Sequence, residues 1–127
     1  MQQRHRVVTR APGARRSDQF WAQSAVDRSD GSLWLCYYDT LGDPTRKKAY
    51  FSCARSQTGG RTWTRPVQVA SAGSDETRPG ALQYGYYQGL AVANGVAHPM
   101  WTDTRQLSSL KEEIYTTRVT PADLGGG

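Results

Sequence analysis

No stretch of the 127-residue sequence approaches the about 20 consecutive apolar residues that a membrane-crossing helix requires. The basic start, Met1-Gln2-Gln3-Arg4-His5-Arg6, is not followed by the apolar core of an export signal. The reading is therefore no membrane span and no visible signal peptide. Cysteine and histidine are scarce, two of each. There is no C-x-x-C pair, and His5 and His98 stand apart, so no metal site and no cofactor are expected. Long amphipathic helices are missing too: the nearest candidate, residues 106–113, is short and lacks an apolar stripe. The charged share is only 21%, and four Trp and seven Tyr accompany it, which excludes a disordered acidic or basic tail.

An excess of one charge sign does exist. Sixteen Lys+Arg against 11 Asp+Glu give +5. These basic residues are scattered, whereas a nucleic-acid module concentrates them on one element with interleaved aromatics. The one cluster (Arg4, Arg6, Arg10, Arg15 and Arg16) falls in residues 1–17, which lack periodicity and contain Pro12 and Gly13. Residues 1–17 read as a disordered basic leader, and no nucleic-acid partner is expected.

What is present from Asp18 onward is a series of short β-strands separated by turn chemistry. Residues 21–27 form a first apolar run, and Arg28-Ser29-Asp30-Gly31 brings an Asp-Gly turn. Residues 33–39, LWLCYYD, read as a strand buried on both faces. Residues 41–44 are a loop, and residues 48–54 a third strand. A Gly-rich turn at 56–61 leads to a fourth strand at 63–70.

The pattern then repeats. KKAYFS at 47–52 matches KEEIYT at 111–116, and Tyr37-Tyr38-Asp39-Thr40 falls on Trp101-Thr102-Asp103-Thr104 at the same offset. Gly31 falls on Gly95, and Ala25-Val26 matches Ala91-Val92 once two turn residues are dropped. A repeated unit of about four antiparallel strands predicts an all-β chain built as β-propeller blades. A single four-stranded sheet cannot cover both its faces, so the next one must stack on it. Trp34, Tyr37, Tyr50, Phe51, Trp63 and Trp101 would fill the space between. Residues 18–70 read as one blade, 71–119 as a second, incomplete blade, and 120–127 as a flexible tail. A small β-sandwich is the competing reading; it explains alternating strands but not the aligned repeat.

A hairpin centred between Pro44 and Thr45 sets Cys36 opposite Cys53, at a separation a disulfide can span. A disulfide and a pair of buried thiols are both open on this reading.

Ser56-Gln57-Thr58-Gly59-Gly60-Arg61-Thr62-Trp63 resembles the Asp box, S-x-D-x-G-x-T-W, of sialidase-type propellers. Ser56 suits a turn that binds its own amides, the glycines permit positive φ, and Trp63 anchors the outgoing strand. Thr58 stands where the motif has Asp; it accepts a backbone hydrogen bond but carries no charge. Residues 18–27, 37–40 and 84–93 followed by 101–105 look like strands of bacterial exo-α-sialidase-like (Asp-box, or BNR-repeat) glycosyl hydrolases. Tyr86 stands where those proteins often carry Asp. The resemblance covers residues 18–119.

It implies a glycan or glycoconjugate partner, an exported protein, and a site combining an arginine cluster, a Tyr nucleophile and a carboxylic acid. A guanidinium matches a carboxylate bidentately, and a phenol nucleophile avoids repulsion by an anionic sugar. The candidates for substrate binding are Arg105, Arg78, Tyr87 and Asp103, with Glu76 and Tyr86 beside them. Each has a blander reading: a local Arg105–Asp103 ion pair, sheet packing for the tyrosines, and turn capping for Asp39 and Asp103, which hold equivalent repeat positions. Glu112 and Glu113 read as solvated. A propeller's catalytic set is drawn from several blades, so this chain is expected to be inactive alone. A non-catalytic glycan- or protein-binding propeller module is the alternative. Exposed blade faces and an unpaired edge strand would favour self-association.

Overall fold

The computed structural model describes residues 17–75, 77, 88–105 and 113–124. Residues 1–16 of the expected leader, and Glu76, Arg78, Tyr86, Tyr87 and Glu112, lie outside the described residues. Among the described residues the chain is all-β, apart from one 3-10 turn at Pro121–Leu124. Four strands, β1 (Gln19–Val26), β2 (Leu33–Asp39), β3 (Tyr50–Ser56) and β4 (Val67–Gln68), form one antiparallel sheet in chain order. Three more, β5 (Gly89–Ala93), β6 (Val96–Asp103) and β7 (Glu113–Thr116), form a second.

The β2 strand coincides with the apolar run at 33–39. The fourth strand is far shorter than the expected 63–70. Pro66 has no N–H to give to a ladder. Upstream, Thr64 gives its N–H to the Arg55 carbonyl at 2.8 Å, but its hydroxyl takes the place of its carbonyl in accepting the Arg55 N–H at 2.9 Å, and strand pairing is kept at Val67 and Gln68.

Strand pairing sorts the side chains onto faces, because directly opposed residues point the same way. In the first sheet one face, the front, carries Trp34, Cys36, Tyr38, Phe51 and Cys53. The back carries Leu33, Leu35, Tyr37, Asp39, Tyr50 and Ser52. In the second sheet, Ala97, Pro99, Trp101 and Asp103 are the repeat equivalents of Leu33, Leu35, Tyr37 and Asp39. It is this back face that packs on the front of the first sheet. Phe51 and Trp101 stack at 5.1 Å between ring centroids, and both belong to the one buried cluster that spans the two sheets. Such aromatic pairs contribute about 0.5–1.5 kcal/mol beyond the area they bury.

Polar bonds fix the same registration. The Tyr38 hydroxyl donates to the Thr102 carbonyl at 2.8 Å and accepts the Thr102 N–H at 3.0 Å. These two residues are 64 apart, the repeat offset itself. Among the described residues the β5–β6 pairing extends to Gly89 and Met100, and beyond it Tyr38 serves both the N–H and the carbonyl of Thr102. At the opposite end Asp27 accepts the Gly95 N–H at 2.6 Å, tying the β1–β2 turn to the β5–β6 turn. Gly31 and Gly95 both sit at positive φ, 74° and 79°, where a Cβ would strain the turn.

Cys36 and Cys53 form a disulfide, with a Cα–Cα distance of 4.1 Å. It lies on the front face, inside the buried cluster. The segment expected as a flexible tail is packed over its first residues: Leu124 is buried in the same cluster and Asp123 caps Thr120. Residues 125–127 lie outside the described residues.

Candidate functional site

The antiparallel order sends the turns to two ends. One end holds the tight turns at 27–32, 57–66 and 94–95. The other receives the ends of β2 and β6, the start of β3 and the loop at 40–49.

The turn resembling an Asp box lies at the first end. The Ser56 hydroxyl accepts the Gly60 N–H at 2.9 Å and the Thr58 N–H at 3.3 Å. Thr58 Oγ1 accepts the Thr62 N–H at 2.8 Å, so the hydroxyl performs the backbone capping expected of it without a charge. Trp63 donates its indole N–H to the Gly60 carbonyl at 3.1 Å. Ser56, Thr58, Gly60 and Trp63 thus all serve the turn.

At the loop end the two repeats carry matching constructions. Asp39 accepts the Leu41 N–H at 2.7 Å, and Asp103 accepts the Arg105 N–H at 2.8 Å. Thr40 Oγ1 accepts the Asp18 N–H at 2.9 Å, and Thr104 Oγ1 accepts the Asp75 N–H at 3.0 Å. Ser17-Asp18 and Ser74-Asp75 are thus a further repeated element, one that pattern-matching on strands passes over. Its signal was a Ser-Asp pair leading into each repeat.

Of the candidate site residues, the structure brings Arg105 and Asp103 together. Arg105 Nε and Nη2 hold the two carboxylate oxygens at 3.0 and 2.8 Å, Nη1 donates to Ser71 Oγ at 2.9 Å, and the guanidinium lies 4.2 Å from the Tyr115 ring centre. Hydrogen bonding to Asp103 raises the Arg105 pKa further. Asp103 also accepts the Trp101 indole N–H at 3.0 Å. Both groups are spoken for within the chain. Arg78 and Tyr87 lie outside the described residues.

The loop end has a feature that no single stretch of sequence announces. Asp39, Leu41, Gly42, Tyr50, Ser52, Pro66 and Gln68 line a pocket of about 200 Å³ on the back of the first sheet. Its floor is polar and buried, with Asp39 and Ser52. Burial raises the Asp39 pKa, and no salt bridge to it exists among the described residues. Tyr37, directly opposite Ser52, has a buried hydroxyl with no hydrogen-bond partner among the described residues, and burial raises its pKa too. The Tyr50 ring is held between two glycines: a Cβ on Gly42 would come within 3.0 Å of it, and one on Gly73 within 2.9 Å. No other residue type fits at either position without displacing that ring.

A second feature lies on β1. A bulge between Phe20 and Gln23 sets Trp21 at φ 52° and leaves it 42% exposed. Its carbonyl accepts a hydrogen bond from the Gln88 amide. Bulges commonly re-aim a side chain, and here a Trp is turned outward from a strand that lies alongside β5.

No group of three or more His, Cys, Asp or Glu able to hold a metal ion occurs among the described residues. No helix is long and apolar enough to cross a membrane among the described residues. Comparison with known proteins finds no match: no family model, no curated protein and no solved structure matches this chain.

Proposed function

We propose that the chain is two adjacent blades of a sialidase-like Asp-box propeller, a fragment of an exo-α-sialidase-like glycoside hydrolase architecture that is inactive alone. The observation that carries this reading is the direction of stacking. In a sandwich two sheets bury like faces against each other. Here the back of the second sheet covers the front of the first, so each sheet repeats its neighbour in the same orientation. Modules stacked this way continue rather than close. The resemblance of residues 56–63 to the Asp box, and the capping geometry of that turn, point to the same class.

Nuclear Overhauser contacts test the stacking. Phe51 ring protons should contact those of Trp101. Contacts of Phe51 to Met100 or Ile114 instead would mean that front meets front and would overturn the reading. Purified chain should release no 4-methylumbelliferone from its sialic acid conjugate, and measurable release would refute inactivity.

One observation favours the non-catalytic alternative, a glycan- or protein-binding propeller module. Arg105 is bound twice to Asp103, once to Ser71 and stacked on Tyr115. A guanidinium so occupied has little left for a substrate carboxylate. On this reading Arg105→Lys would leave glycan binding unchanged while lowering stability.

A further inference from the structure

We propose that the first sheet carries a binding site for a neutral polyhydroxylated ligand the size of one sugar ring, in the pocket floored by Asp39 and Ser52. The site does not depend on the propeller reading. It is built from cross-strand neighbours on one face: Asp39 opposite Tyr50, and Ser52 flanked by Tyr37 and Gln68. Pro66 and Leu41 supply apolar walls, and Gly42 keeps the rim low.

The ligand class follows from what the pocket offers. Its volume of about 200 Å³ admits a single sugar ring. Asp39 Oδ1 already takes the Leu41 N–H and the Gln19 side-chain amide, while no hydrogen bond to Oδ2 is found among the described residues. The Gln68 amide nitrogen donates to the Ala70 carbonyl, which leaves its oxygen to accept. The Ser52 hydroxyl donates to the Tyr50 carbonyl at 3.3 Å and is left to accept, while the Tyr50 hydroxyl can donate or accept. Tyr37, paired with Ser52 behind the pocket, has a buried hydroxyl with no hydrogen-bond partner among the described residues, so the polar character of this face extends beneath the floor. Sugar hydroxyls both donate and accept, so they suit a mixed floor of this kind. An anionic sugar would meet an unneutralised carboxylate at the bottom. The chemistry selected is therefore opposite to that of an arginine-lined site for sialic acid.

The test uses the oxidised chain, amide-resolved NMR titration, and four probes: methyl α-galactoside, methyl α-glucoside, N-acetylneuraminic acid and ethylammonium. At least one neutral glycoside should bind saturably at millimolar concentration, shifting the amides of Leu41, Ser52 and Gln68. It should bind at least tenfold more tightly than N-acetylneuraminate. Asp39→Asn keeps the cap on Leu41 but removes the charge, and should weaken binding about tenfold, matching the loss of one charge-assisted hydrogen bond. Gln68→Ala on the exposed edge should weaken it severalfold while leaving the rest of the spectrum in place, and Gly42→Ala, whose Cβ presses on the Tyr50 ring and the Gln68 amide, should weaken it severalfold with shifts confined to the pocket's own residues. No saturable binding by either glycoside would overturn the proposal. So would shifts confined to the second sheet, equal or tighter binding of N-acetylneuraminate or ethylammonium, or indifference to both Gln68→Ala and Gly42→Ala.

Discussion

By strand pairing Phe51 and Ile114 hold the same place in their respective sheets, one residue away from the sequence match of Phe51 with Tyr115, because the β6–β7 register is shifted by one relative to β2–β3; yet they live in different surroundings. Phe51 pairs with Tyr38, and Ile114 pairs with Thr102, the repeat equivalent of Tyr38. Phe51 is fully buried under Trp101, whereas Ile114 is 64% exposed. The neighbouring pair tells the same story. Cys36 and Cys53 are bridged inside the core, while their counterparts Met100 and Thr116 face outward, with Met100 48% exposed. The residue type at a repeat position therefore reports less than the face it occupies and whether that face is covered. The first sheet's front has a neighbour; the second sheet's front is open.

The largest effect is expected where the two sheets meet. Trp101→Ala removes the ring stacked on Phe51, and with it the indole N–H that serves buried Asp103. Large aromatic truncations in cores cost about 3–5 kcal/mol. That is a large part of the about 5–15 kcal/mol a domain has to lose. Urea unfolding followed by near-ultraviolet circular dichroism should show a folded state barely populated in water. A loss below about 1 kcal/mol would mean the second sheet is not seated on the first.

Next comes the disulfide, which only the first sheet has. Reduction, or Cys36→Ala with Cys53→Ala, should lower stability by about 2–4 kcal/mol, the range for bridges closing short loops. The two residues are 17 apart in sequence. The check is a shift of the urea midpoint with and without reductant, and no shift would show that the bond is absent in solution.

Tyr38→Phe is a smaller and more local break. It deletes one oxygen that both donates to and accepts from the Thr102 backbone. Leaving both groups unpaired costs about 1–3 kcal/mol. Hydrogen exchange should accelerate at the Thr102 amide and leave the β2–β3 ladder slow.

The loop after β2 has a titration of its own. Asp43 accepts the Thr45 hydroxyl and the amides of Thr45, Lys47 and Lys48, and these bonds, the Thr45 hydroxyl first, hold its pKa down to about 2. The folded value lies below the ordinary one. The loop is therefore stabilised above pH 3.8 and loses that support as pH falls toward about 2. The Lys48 amide shift should titrate with a midpoint near the lower value, and a midpoint at the ordinary carboxylate value would show the cap to be open.

Much of this architecture can be read from residues alone, and the exceptions have physical causes. The β2 strand is legible because LWLCYYD is apolar on both faces and bounded by turn residues. Gly31 and Gly95 are legible because positive φ leaves few alternatives. The extent of β4 is not: Val67 and Val69 signal a strand, but Pro66 and the Thr64 hydroxyl curtail the ladder. Nor is the direction of stacking, since a strand apolar on both sides names no partner for either. The pocket is hidden for a different reason. Asp39, Tyr50, Ser52 and Gln68 come from three strands, and each alone is an ordinary strand residue; only the register places them on one face. Arg105 and Asp103 are legible as a pair because a single residue, Thr104, separates them at a strand end, though the contacts with Ser71 and Tyr115 depend on the fold.

The smallest expected effect is the sharpest test of the comparison. Ile114→Lys places a charge on the open front of the second sheet, where the present side chain already meets water. Exposed substitutions of this kind usually change stability by no more than about 0.5 kcal/mol. Phe51→Lys, at the same place in the first sheet, buries an unpaired charge against Trp101 and should prevent folding. If the two substitutions cost alike, the faces are not what pairing and burial make them, and the same-orientation stack falls with them. If Ile114→Lys is silent and Phe51→Lys is lethal, coverage by the neighbouring sheet is what separates two otherwise equivalent positions.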